Sequence, residues 1–135
     1  MSDATPSDTV KRLAATRHAM MHLHRALLES ERVRYERLNG RVASSADLLQ
    51  LVLHDPWFAW LRPMSSLIVA MDERMDPDAE PGVPAPESLL EQARELMRAD
   101  EEGGDFPSHY HDALQRDPAV VMAHASVQRL LAAPA

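Results

Sequence analysis

Apolar residues along this chain recur at helical spacing. Val10, Leu13, Met20, Leu27 and Leu38 keep a seven-residue rhythm, with Ala14, Met21 and Leu28 beside them. The pattern predicts a first helix from Ser7 or Asp8 to about Leu38, stopped by Asn39-Gly40 in a left-handed turn. Some 30 residues of helix span roughly 45 Å, so this helix is either the spine of the fold or reaches towards a partner. Ser44 or Ser45 caps a second helix, with Asp47 in its first turn favourable to the helix dipole. Leu48, Leu49, Leu51, Val52 and Leu53 make this helix apolar on most sides, which predicts deep burial.

Residues 54–75, HDPWFAWLRPMSSLIVAMDERM, hold a conflict. Pro63 removes a helical N–H, crowds the preceding turn and biases Arg62 away from the α region, which argues for a break. Yet Trp57, Leu61, Met64, Ile68, Met71 and Met75 keep one phase across the proline, flanked by Trp60 and Leu67. Trp57 and Met75 lie 18 positions apart, a whole number of turns. We therefore expect one helix over 56–75, started by Asp55-Pro56 and kinked at Pro63. Phe58 lies off the stripe and makes the first turn apolar all round, so this aromatic head needs cover from more than one neighbour.

DPDAEPGVPAP at 76–86 carries four prolines and reads as a loop. Pro86 opens a helix with Leu89, Leu90, Ala93, Leu96 and Met97 on one face, ended by DEEGGD. Asp105 and Pro107 start another, and Asp117-Pro118 start the last, striped by Val120, Val121, Val127, Leu130 and Leu131. Strand-type alternation is absent and aromatics make up only 4% of the chain. The reading is an all-α single-domain bundle of five or six helices over 1–135, with residues 1–7 expected to be disordered.

Composition narrows the chemistry. With no cysteine, disulfides, thiolate metal sites and thiol catalysis are excluded, and a reducing, cytoplasmic setting is expected. The N-terminus lacks a secretory pattern, and no apolar run approaches the roughly 20 residues of a membrane span. The net charge of −7 is uneven. Residues 1–42 hold eight Lys/Arg against five Asp/Glu, and residues 43–135 hold six against sixteen. Such a chain is a poor general nucleic-acid binder, and the basic first helix is mainly a solvated surface that could also meet acidic segments.

HDPWFAWLRPMSSLI, with the later LQRDPAVVMAH, resembles a family of small uncharacterised bacterial proteins that carry HDPWFAWLRP followed by a serine and an apolar helix. The resemblance covers most of the chain from the first helix to the last and implies a helical bacterial protein. It carries no established activity and transfers no catalytic residues.

Catalytic signatures are missing. The four glycines fit neither phosphate-loop nor dinucleotide patterns, and no serine sits in a nucleophile elbow. The aromatic head offers a candidate ligand site: Trp57 and Trp60 with Arg62 and His54 could hold a planar or anionic molecule, although a plug closing the core explains the same residues. His18 and His22 form HxxxH, but Lys11, Ala15, Arg25 and Glu29 continue that face, which marks it as solvent-facing. His24 lies on the apolar seam with Glu31 one heptad on, and His124 lies inside the last stripe. These three are the alternative metal set, with satisfied structural histidines the simpler explanation. His109 and His111, two apart, point to different sides of a helix. No catalytic residue and no cofactor is expected. The leading functional expectation is a noncatalytic protein acting by protein–protein interaction, as a homodimer or with another protein, without nucleic acid or membrane. The alternative is a small-molecule or metal-binding helical domain.

Overall fold

The computed structural model describes residues 6–132, so the expectation for residues 1–7 falls largely outside it. Among these residues the chain forms six α-helices and one 3-10 helix, without strands. They are α1 (Pro6–Asn39), α2 (Ser45–His54), a 3-10 segment (Pro56–Leu61), α3 (Arg62–Met75), α4 (Pro86–Leu96), α5 (Asp105–Arg116) and α6 (Pro118–Ala132).

α1 is the spine. It packs along α6, α3 and α4 and meets the 3-10 segment near its C-terminal end, while α5 covers α6 and the 3-10 segment. Leu13, Met20, Leu23 and Leu27 of α1 are fully buried in one core that also takes Leu89, Leu90 and Ala93 of α4, Met97 just after it, and Val120, Val127 and Leu131 of α6. Val10 and Leu38, at the two ends of the seven-residue rhythm, are exposed. Gly40 takes φ 87° after α1, and its N–H returns to the Glu36 carbonyl at 3.0 Å, the stop expected from Asn39-Gly40.

Residues 56–75 form one continuous 20-residue helical run, as the shared phase requires, but its first six residues wind as a 3-10 helix. Asp55 caps it, its carboxylate accepting from the Trp57 N–H at 2.8 Å. The change of winding places Phe58 on the core line. A 3-10 helix repeats every three residues, so Phe58 lines up with Leu61, and Trp57 with Trp60, which α5 covers. Phe58 and Leu61 are accordingly buried with Met64, Leu67 and Met71, while Trp57 is only half-buried. Pro63 sits in the first turn of α3, where helical N–H groups lack intrahelical partners in any case. Arg62 is helical, φ −58° and ψ −40°, so its expected displacement by the following proline is overridden.

One burial expectation fails. α2 begins and is capped as expected, Ser44 Oγ accepting from the Asp47 N–H at 3.1 Å, but it contains no buried residue. It packs chiefly on the 3-10 segment, so Leu48, Leu51 and Val52 are partly covered, and Leu49 and Leu53 face solvent at 54% and 51% exposure. Local apolarity cannot supply a neighbour, and α1 already packs against α3, α4 and α6.

The 76–85 loop is held by Arg74, whose guanidinium donates to the carbonyls of Val83 (2.5 Å) and Pro84 (2.9 Å). The basic α1 meets the acidic part of the chain directly at Arg17–Asp72, 2.5 Å. Most of its other ion pairs are local: Arg32 pairs with Glu29 and Glu36, and Arg34 with the buried Glu31.

Candidate functional site

The aromatic head sits where α1, the 3-10 segment and α5 converge. Tyr35 of α1 meets Trp57 edge-on and Phe58 at a tilt, both with ring centroids 5.7 Å apart. Phe106 and His109 of α5 cover Trp60, the imidazole stacking at 5.2 Å and 16°. Two elements thus cover the head, as its all-round apolarity demands. Phe58 and Trp60 belong to the core, and the Trp60 N–H is buried without an acceptor.

Glu31 is the polar centre of this region. Only 1% exposed, it accepts from the Trp57 indole N–H at 2.8 Å, from Arg116 at 2.9 Å and from Arg34 at 3.2 and 3.3 Å. Arg116 also donates to Ser30 Oγ at 3.2 Å, and the Arg34 guanidinium lies 5.5 Å from the Trp57 ring centroid in cation–π contact. One carboxylate therefore ties together α1, the 3-10 segment and the last turn of α5. A buried charge is tolerated only when paired and hydrogen-bonded, and Glu31 meets both conditions.

A cleft of about 280 Å³ opens beside this cluster, walled by Glu31, Arg34, Trp57, Trp60 and His109, with Asp105 and Asp112 among the other lining residues. The four candidate ligand residues are thus not assembled together. Trp57 and Trp60 share this cleft, whereas the exposed His54 lines a separate hollow of about 630 Å³ between the end of α1 and α2. Arg62 is exposed on the outer side of the helix and makes no side-chain hydrogen bond or ion pair among the described residues. Sequence reasoning placed His54 and Arg62 by proximity along the chain; the 3-10 winding and the turn at Asp55 separate them in space. It missed Arg34, Arg116 and His109. Glu31 did leave a signal, standing four residues after the buried Leu27 on the same face of α1, but nothing local marks Arg116 as its partner.

The alternative metal set is not gathered either. His24 lies in the groove between α1 and α3, Glu31 is engaged by two arginines, and His124 faces Tyr110. No group of three or more potential metal ligands occurs among the described residues. The Tyr110 hydroxyl and His124 Nδ1 lie 2.5 Å apart, with Met97 Sδ 3.9 Å from the hydroxyl and Gln128 Nε2 3.4 Å from His124 Nε2. Burial holds the imidazoles of His24 and His124 below their ordinary pKa and pushes the Tyr110 phenol up. His18 and His22 are exposed, their Nε2 atoms 3.2 Å apart, on the solvent face expected of them.

Compared with protein-family models, with curated proteins and with solved structures, the chain finds no match.

Proposed function

We propose that this is a noncatalytic helical protein that acts through protein–protein contact, pairing with a second copy of itself. The observation that carries the reading is α2: five apolar side chains in ten residues, none buried, with Leu49 and Leu53 about half exposed. Covering the two leucines would contribute about 1 kcal/mol each, and a face of this kind on a small protein is the usual mark of a contact surface. Cytoplasmic residence and kinship with the bacterial proteins that carry HDPWFAWLRP belong to the same proposal, supported by the absence of cysteine and by the length of the motif. Neither nucleic acid nor a membrane enters it. Sedimentation of the full chain tests it: the protein should run as a dimer or larger and the Leu49→Asp/Leu53→Asp variant as a monomer, and a parent chain that stays monomeric at high concentration sinks the reading.

A second reading is favoured by the cleft at Trp57 and Trp60, which has room for a small molecule beside Glu31, Arg34 and His109. Tryptophan emission would report occupancy, because both indoles wall the cleft. A ligand screen that shifts neither the emission nor the melting temperature counts against it.

A further inference from the structure

The cleft at Trp57 and Trp60 is lined by polar groups of both signs that the fold leaves free. Arg34 of α1 reaches Glu31 through Nη1 alone, so its Nε and Nη2 groups meet no acceptor among the described residues. Trp60 of the 3-10 segment is only 3% exposed, yet its indole N–H has no acceptor either. A buried donor left unpaired is costly, and in the wall of a cleft it calls for an acceptor from outside the chain. Asp112 of α5 supplies the opposite charge. Its carboxylate is 63% exposed, and the one basic group within 4 Å among the described residues is the His111 imidazole, at 3.7 Å and beyond hydrogen-bond reach. The other carboxylates of the cleft are engaged: Glu31 by Trp57, Arg34 and Arg116, and Asp105 by His109 Nδ1 at 3.2 Å.

We propose that this cleft binds a small zwitterion of the amino-acid class, an amine and a carboxylate on one short carbon frame. The ammonium meets Asp112, and the carboxylate meets Arg34 and the Trp60 N–H. This rests on the second reading above, that the cleft is a binding site, and names its ligand class. A cation alone would leave the Arg34 and Trp60 donors unpaired. An anion alone would face Asp112 and Asp105 as like charges, which oppose association. A molecule carrying both charges satisfies both ends, and each of the two contacts is charge-assisted. The size agrees: about 280 Å³ lies at the lower edge of the range for ligand pockets, which begins at roughly 300 Å³. Trp57, its N–H already held by Glu31, gives the carbon frame an apolar wall.

Titration of the full chain tests the inference. The probes are glycine, L-alanine, β-alanine and 4-aminobutyrate, with propionate and propylamine as controls that carry one charge each, all at constant ionic strength. Tryptophan emission and melting temperature are read. At least one zwitterion should shift both at a concentration about ten times lower than either control requires. Asp112→Asn, at an exposed position, should keep the parent melting temperature and weaken that zwitterion about tenfold, the loss of a charge-assisted contact. An equal response to propionate or propylamine, or undiminished binding by Asp112→Asn, overturns the zwitterion and leaves the cleft standing as a binding site. Silence across this panel also overturns it, and the cleft itself falls when the broader ligand screen described above is silent too. The indole N–H signals in a proton–nitrogen spectrum supply the second readout, with the Trp57 signal identified by its loss in Trp57→Phe. A bound zwitterion should move the Trp60 signal, which gains an acceptor, further than that of Trp57, which keeps Glu31. A Trp60 signal that stays in place at saturation contradicts the carboxylate contact.

Discussion

Removing the Glu31 carboxylate is the sharpest perturbation available in the core. In Glu31→Ala the Trp57 N–H loses its acceptor, and Arg116, whose side chain is 27% exposed, loses its ionic partner. Arg34, 42% exposed, can turn to water, which softens the loss. Breaking a buried pair from one side costs 3–5 kcal/mol when the remaining charge stays buried. With one of the two arginines free to rehydrate, the expected cost is at the lower end, about 3 kcal/mol. Glu31→Gln keeps the volume and one acceptor oxygen but loses the charge, so about 1–2 kcal/mol is expected. Urea unfolding followed by tryptophan emission is the assay, because Trp57 is bonded to the group removed and Trp60 lies in the same cleft. With a slope of about 2 kcal/mol per molar, the midpoint should fall by about 1.5 M for alanine and by about 0.5–1 M for glutamine, at unchanged slope. An alanine variant within about 0.5 kcal/mol of the parent would refute the view that this carboxylate holds α1, the 3-10 segment and α5 together.

Two further outcomes follow from the same geometry. His24 and His124 have folded pKa values depressed by burial below the ordinary 6.5, so the unfolded chain binds more protons between those values. Their contribution to stability should therefore be complete above about pH 6.5 and be lost as the pH falls towards the folded values; thermal melts of the parent and of His124→Gln should show a shallower acid slope in the variant. Arg74→Ala removes both bonds to the 76–85 loop and should cost about 1–2 kcal/mol while speeding proteolysis between α3 and α4; unchanged cleavage would mean that the loop is held by other contacts.

Much of the fold could be read from the chain because helix signals are local. Asp55-Pro56, Asn39-Gly40, Pro86 and Asp117-Pro118 each act within one turn of backbone, and each stands at a helix boundary. The continuous run from Pro56 to Met75 was also legible, since a stripe that keeps its phase needs an unbroken helical path. The winding of its first six residues was not. A 3-10 helix and an α-helix place the same apolar letters on different lines, and the neighbours met in the 3-10 arrangement, Tyr35 against Phe58 and Phe106 against Trp60, come from distant helices. The candidate site was read less well for the same reason. Trp57 and Trp60 share a cleft, but His54 and Arg62 were grouped with them by sequence distance, and the residues that join the cleft, Arg34 and His109, come from other helices.

By itself, then, the sequence determined the class of the fold, the helix boundaries, the aromatic head and the absence of thiol chemistry, all properties carried by short windows of residues or by composition. Only the tertiary structure decided which apolar faces found partners. Leu27 and Leu49 are equally apolar, yet one is fully buried beneath neighbouring helices and the other faces water on α2. Burial requires a second surface, and the position of that surface depends on how distant segments pack. Glu31 shows the same dependence for a charge: the sequence puts it on the apolar seam of α1, but the partners that make its burial tolerable, Trp57 and Arg116, stand 26 and 85 positions away.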